Sequence, residues 1–272
     1  MTRTLVTGAT GTLGEALQDH LLDAGHHVVA ASRSPPAADE RANVEWVELD
    51  LAAGGGVETA VADADVVIHT ATAPQSDTEA VDVDGTQRLA DAAAEAGVGN
   101  VVYPSIVGVE EIPLSYYEHK RAAEKILADG DVGHTIVRVT QFHSFVADLL
   151  GTVAKLPVWP LPTRFQVQPI DVREAAEILV GHATPDPAGR VPNVGGPAVH
   201  SLGALARSYR SARGLRRPVV RLPVPGSVAA GFRAGHSTCS DRAVGTVRWE
   251  AWLAERYGGD RETAPNSTGT PS

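Results

Sequence analysis

Through the first two-thirds of the chain, short apolar runs alternate with amphipathic stretches. Thr4-Leu5-Val6-Thr7 reads as a strand and Leu13 to Ala24 as a helix. His27-Val28-Val29-Ala30-Ala31, Val44-Glu45-Trp46-Val47 and Asp65-Val66-Val67-Ile68-His69 read as three further strands. An Ala-rich helix from Val83 to Ala96 ends at Gly97. Asn100 to Tyr103 is a fifth strand, Tyr116 to Ala128 a helix, and His134 to Val139 a sixth strand. Strands that are apolar at nearly every position, with helices between them, predict a parallel sheet covered on both faces.

The pattern changes after about Leu150. Leu156 to Pro162 holds Pro157, Pro160 and Pro162 and reads as loop. Val172 to His182, Ser201 to Arg213 and Thr246 to Tyr257 read as helices, and Pro185 to Gly189 as a turn cluster. The expectation is one α/β domain over residues 1–257, a doubly wound parallel sheet with a small lobe drawn mainly from residues 151–170 and 190–245. Residues 258–272, rich in Gly, Thr, Pro and Ser, are expected to be a disordered tail.

Composition narrows the classes of function. With 23 Lys+Arg against 33 Asp+Glu the net charge is −10, which argues against nucleic acid as a partner. No apolar run approaches the ~20 residues of a membrane helix, and Met1 leads straight into Thr2-Arg3-Thr4 with no long apolar core. A cytoplasmic protein is expected, as monomer or homodimer, acting on a small molecule. The lone Cys239 excludes an internal disulfide and is read as a small buried residue. The ten histidines show no ligand spacing, so no metal is expected. Only Lys120, Lys125 and Lys155 are lysines; every other basic residue is arginine.

The sharpest chemical signal is Gly8-Ala9-Thr10-Gly11-Thr12-Leu13-Gly14, glycines three apart between a strand and a helix. Gly8 permits the tight turn, Gly11 lets backbone amides approach a diphosphate, and Gly14 lets the helix close on the sheet. The helix N-terminus adds partial positive charge. An acidic residue at the end of the second strand would bind an NAD ribose. This chain has Ser32-Arg33 there, a hydroxyl and a guanidinium suited to a 2′-phosphate. NADP(H) is therefore the expected cofactor, with NAD(H) the alternative. Asp50-Leu51 and Thr70-Ala71-Thr72, after the third and fourth strands, are expected to line the same site.

Tyr116 and Lys120 are four apart and so share a helix face. A nearby ammonium would lower the phenol pKa and suit it to give a proton to a developing alkoxide. Ser105, at the end of the fifth strand, is placed to bind a substrate carbonyl. Tyr117 and Arg121 form a second pair at the same spacing, and either pair can be plain helix surface.

Together these residues resemble the short-chain dehydrogenase/reductase superfamily, and more closely its atypical NmrA-like and isoflavone-reductase-like branch. The glycine loop matches that branch. Val81-Asp82-Val83-Asp84-Gly85-Thr86 resembles its V-N-x-x-G-T segment, with Asp82 where asparagine is usual. Tyr103 to Gly108, Lys120 to Glu124, Val137 to Phe142 and Gln168 to Ala176 resemble its strand-end, K-x-x-x-E, pocket and downstream segments, so the likeness runs over residues 3–257. It implies an NADP(H)-binding Rossmann fold, with Tyr116 and Lys120 carrying reduction of a small apolar carbonyl, enone or quinone-like acceptor, in secondary metabolism. Gln141, Phe142, His143, Trp159 and Phe165 are expected to wall the substrate pocket. Two other readings stay open: a regulator that senses NADP(H) without turnover, and an epimerase or dehydratase that retains NAD.

Overall fold

The computed structural model describes residues 1–37, 41, 43–73 and 78–258. The chain runs β1 (Arg3–Thr7), α1 (Thr12–Asp23), β2 (His27–Ser32), β3 (Val44–Glu48), α2 (Val57–Val61), β4 (Val66–His69), α3 (Gly85–Glu95), β5 (Asn100–Ile106), α4 (Ser115–Asp129) and β6 (His134–Val139). It continues through α5 (His143–Val153), β7 (Trp159–Leu161), β8 (Gln166–Val167), α6 (Val172–Val180), β9 (Gly189–Arg190), β10 (His200–Ser201), α7 (Leu202–Ala212), β11 (Val219–Arg221), α8 (Ser227–Ala234) and α9 (Trp249–Tyr257). A π-helical turn over Glu79–Asp84 feeds α3. The expected disordered tail, beyond Gly258, lies outside the described residues. No helix among the described residues is long and apolar enough to cross a membrane.

Seven strands form one sheet in the order β3-β2-β1-β4-β5-β6-β9, every pair parallel. The fold is the doubly wound α/β architecture expected. Successive strand residues serve opposite cores, which is why the strands are apolar throughout. Leu5, Val29, Val67 and Val101 pack with α2, α3 and α4 through Val61, Leu89 and Leu127. Val6, Val28, Ile68 and Val102 pack with α1 and α6 through Leu17, Leu21 and Leu179. Strand order reverses between β1 and β4. The carboxyl ends of these two strands therefore open the crevice where such sheets bind ligands.

A third core belongs to the lobe: Val146 and Leu150 of α5, Trp159, Leu205 and Tyr209 of α7, and Trp249 and Trp252 of α9. Two expectations change here. Leu156 to Pro162 is not all loop, because Trp159–Leu161 is β7, paired in parallel with β11. Pro160 is tolerated because the sheet has only two strands. The pairing is carried around it, with Trp159 N–H donating to the Pro218 carbonyl at 2.9 Å and Leu222 N–H to that of Leu161 at 2.8 Å. The segment after Phe142, expected only as pocket wall, forms α5.

Polar side chains also tie the sheet together. Arg138 on β6 grips Glu124 on α4 through two hydrogen bonds, Nε–Oε1 at 2.7 Å and Nη2–Oε2 at 2.6 Å, with both side chains buried. This two-pronged contact fixes α4 against the sheet one turn after Lys120. Beneath the crevice His69 is wholly buried. Thr86 Oγ1 gives its proton to the Asp82 carbonyl at 2.7 Å, so it accepts from His69 Nε2 at 3.0 Å. His69 Nδ1 then accepts from the Thr7 hydroxyl at 2.7 Å. Burial, aided by the nearby Lys120 ammonium, pulls the imidazole down to about 3 from its usual 6.5, so it is neutral in the folded chain.

That depression has a definite sign. The folded state resists protonating His69 while the unfolded state accepts a proton below 6.5, so stability is complete above that pH and is lost as the pH falls toward 3. Between pH 7 and pH 5 His69 alone removes about 2 kcal/mol. Urea unfolding at the two pH values should show that loss in the natural chain, and His69→Gln should flatten the dependence by the same amount. Equal pH slopes in the two proteins would refute it.

Candidate functional site

The glycine loop is shaped by its neighbours. Gly8 has φ +68°, and a Cβ there would lie 2.8 Å from Ala71 Cα and N. A Cβ at Gly14 would run into the Gly8 carbonyl and stand 2.7 Å from Ala9 Cα. Gly11 is the N-cap of α1, and no side chain caps that end, so its first amides face outward. The buried Gln18 amide holds the loop from below by donating to the carbonyls of Ala9 at 2.8 Å and Gly14 at 3.2 Å.

Gly8, Thr10, Gly11, Ser32, Arg33, Asp50, Leu51, Thr70, Ala71 and Thr72 line one cleft of about 610 Å³. The other expected cofactor residues lie beside or under it. Thr12 opens α1 at the surface, while Leu13 and Gly14 are buried below the loop. Ser32 Oγ lies 3.4 Å from Thr10 Oγ1, and Arg33 is exposed beside it. Asp50 uses Oδ1 to hold its own turn, accepting from Ala52 N–H at 3.0 Å and Ala53 N–H at 3.1 Å. Thr70 donates to the Thr7 carbonyl at 2.6 Å, which fixes the segment after β4 against β1. An uncapped helix end and a backbone with no room for Cβ atoms fit the diphosphate of a nicotinamide dinucleotide.

Near Thr72 the cleft meets α4. Tyr116 Oη lies 3.1 Å from Thr72 Oγ1, and Thr72 Oγ1 donates to Asp82 Oδ1 at 2.7 Å. Lys120 Nζ stands 3.8 Å from the same carboxylate oxygen and 4.2 Å above the centre of the Tyr103 ring. Burial pulls the Lys120 ammonium down to about 8, opposed by the carboxylates of Asp82 and Glu124. The Tyr116 phenol does not follow the expectation of a lowered pKa. Burial pushes it up to about 12, the Thr72 hydrogen bond only partly offsetting this. The hydroxyl is therefore protonated at neutral pH.

The competing pair resolves differently. Tyr117 is buried against Val109, Ile112 and Phe232, and Arg121 is exposed, so these two serve packing and surface. Ser105 is buried at the end of β5, and its Oγ has no hydrogen-bond partner among the described residues. Gln141 is half-buried, and its amide lies close enough to the Tyr117 hydroxyl to offset part of the rise that burial causes in that phenol. Phe142 packs against the α1/α6 core. Phe165 stacks on Phe232 at 5.2 Å, and Phe232 meets the Tyr117 ring edge-on at 6.3 Å, an aromatic series that leads to Tyr116.

The remaining pocket expectations fall elsewhere. Trp159 is fully buried against Tyr209 in the lobe core. His143 is held by the Val247 carbonyl at 3.0 Å and lies against the Trp249 and Trp252 rings. Cys239 is buried, and burial pushes its thiol up to about 11. Among the described residues no three His, Cys, Asp or Glu side chains are grouped to hold a metal ion. Gln18, His69 and Thr86 were not singled out from the sequence. His69 shows only as a polar end to the apolar run Val66-Val67-Ile68.

Known proteins resemble this chain in sequence and in fold. A reductase of Streptomyces griseus that acts on (4-alkanoyl-5-oxo-2,5-dihydrofuran-3-yl)methyl phosphate is 30% identical over 79% of this chain and 74% of its own. An uncharacterized protein of Mycobacterium tuberculosis is 31% identical over 58% of this chain, and the chain spans only 17% of that protein's length. The solved NADPH complex of an Escherichia coli NADPH-dependent quinone oxidoreductase superposes with a TM-score of 0.78 at 16% identity, over 93% of this chain and 99% of the other. Residues 8–148, just over half of the chain, match the NAD(P)H-binding family. The chain belongs to that NAD(P)H-binding family and carries the fold of the short-chain dehydrogenase/reductases.

Proposed function

We propose that this protein is an NADP(H)-dependent reductase of a small, largely apolar carbonyl, enone or quinone-like substrate. The observation that carries the reading is the Tyr116 hydroxyl, tethered through Thr72 to the cleft that the glycine loop opens. When bound, the reduced nicotinamide supplies a hydride. Tyr116 then gives its proton to the alkoxide oxygen that develops on the substrate. A phenol held near 12 keeps that proton until an alkoxide forms, because an alkoxide is a far stronger base than any group around Tyr116. Lys120 presents a buried ammonium that stabilises the negative charge building beside it. Ser105, buried and without a hydrogen-bond partner among the described residues, offers a donor to the substrate oxygen. The aromatic series Tyr117, Phe232 and Phe165 supplies an apolar wall on the lobe side. Arg33 and Ser32 at the opposite end of the cleft favour the 2′-phosphate of NADP(H).

Two measurements test this. NADPH oxidation, followed at its absorbance band across carbonyls, enones and quinones, should reveal a substrate. Tyr116→Phe should then lower kcat by roughly 100-fold or more, with cofactor affinity nearly unchanged. A panel with no turnover would sink the reductase reading and leave a cofactor-sensing protein. Separately, Arg33→Ala should weaken NADPH binding by about 10- to 100-fold in a fluorescence titration and leave NADH binding where it was. An equal loss for both cofactors would show that Arg33 does not read the 2′-phosphate.

A further inference from the structure

Asp82 sits in the π-helical turn Glu79–Asp84, between Val81 and Val83, and its side chain has no exposure. A charged carboxylate in such a place needs partners. It has three. Oδ1 accepts from Thr72 Oγ1 at 2.7 Å and stands 3.8 Å from Lys120 Nζ, while Oδ2 accepts from Ala73 N–H at 3.1 Å.

Resting on the reductase reading above, we propose that Asp82 is a positioning residue for the Tyr116–Lys120 pair, one carboxylate acting on the ammonium directly and on the phenol through Thr72.

The argument for the phenol is one of hydrogen-bond polarity. A carboxylate can only accept, so the Thr72 hydroxyl must donate to it. The proton of Thr72 is thereby committed, and only its lone pairs face Tyr116. The 3.1 Å contact is then one in which Tyr116 donates to Thr72. Asp82 thus dictates that the phenol arrives at the cleft protonated and oriented. Asparagine, the residue the family resemblance leads one to expect here, carries both a donor and an acceptor and imposes no such direction.

The argument for the ammonium is one of charge. Around Lys120 stand Asp82 from the π-turn, neutral His69 from β4, the Tyr103 ring from β5, and Glu124 from its own helix. Glu124 is engaged by both prongs of Arg138. Asp82 is therefore the carboxylate whose charge is directed at Lys120. Removing that charge while keeping the shape lets the ammonium lose its proton at a lower pH.

The chain's three lysines make this measurable without any substrate. Protein labelled with carbon-13 at lysine Cε gives three signals, assigned by Lys125→Arg and Lys155→Arg. In the natural chain the Lys120 signal should titrate near 8. In Asp82→Asn its midpoint should drop by about one unit or more, and Asp82→Glu should restore most of it. Lys125 and Lys155 should not move. An unchanged Lys120 midpoint in Asp82→Asn overturns the proposal, whether or not a substrate has been found. With a substrate in hand, the alkaline limb of kcat/KM should move with the Lys120 midpoint. Thr72→Val should lower kcat roughly tenfold while leaving that midpoint in place. If Asp82→Asn does not fold, Thr72→Val decides. Full kcat in that variant shows that the phenol is not governed through Thr72 and overturns the proposal.

Discussion

Lys120 is an ammonium in a place that water barely reaches, and the centre of this protein is arranged around that constraint. An isolated buried charge is too costly to persist, so the group must find a counter-charge or lose its proton. Three elements converge to meet the demand. The π-turn brings Asp82, β5 brings the face of Tyr103, and α4 carries Lys120 itself. Helix α4 is in turn held by the Arg138–Glu124 pair one turn further along. His69 lies at the edge of the same group. It stays neutral because burial disfavours its charged form and the nearby ammonium adds repulsion. A charged His69 would unsettle the hydrogen-bond chain that ties β1 and β4 to α3.

Most of the nucleotide half was legible in the sequence because its rules are local. Gly8, Gly11 and Gly14 act within one strand–turn–helix unit, and the close approaches to Ala71 and Ala9 explain Gly8 and Gly14. Apolar strands such as Val66 to Ile68 announced a sheet packed on both faces. The lobe was harder to read because its contacts are distant in sequence. Strand β7 exists only because residues 219–221 return to pair with it, and three prolines nearby disguised it. His143 and Trp159 looked suited to a pocket wall. They are instead taken up by Trp249, Trp252 and Tyr209, from helices that follow them by 50 residues or more.

The proposed catalytic pair shows the same division. The spacing of Tyr116 and Lys120 placed them on one face of α4, and α4 formed. Spacing carries no information about burial, however, and burial reverses the expected effect on the phenol. Burial pushes the tyrosine up, with the Asp82 charge adding to it and the Thr72 hydrogen bond partly offsetting it, and these two residues come from the segment after β4 and from the π-turn, some 30 to 45 positions earlier in the chain. A tyrosine that keeps its proton and a lysine that is ready to lose its own are a different pair from the one that proximity alone suggests.

The departure at residue 82 then acquires a physical meaning. An asparagine could accept from both Thr72 and Ala73 with one carbonyl oxygen, so hydrogen bonding alone does not require a carboxylate there. What the carboxylate adds is charge beside an ammonium that burial has already weakened. In a chain that writes twenty of its 23 basic residues as arginine, the base beside Asp82 is a lysine. Arginine would keep its charge at any accessible pH. Lysine brings a charge that can be lost, and Asp82 opposes the loss.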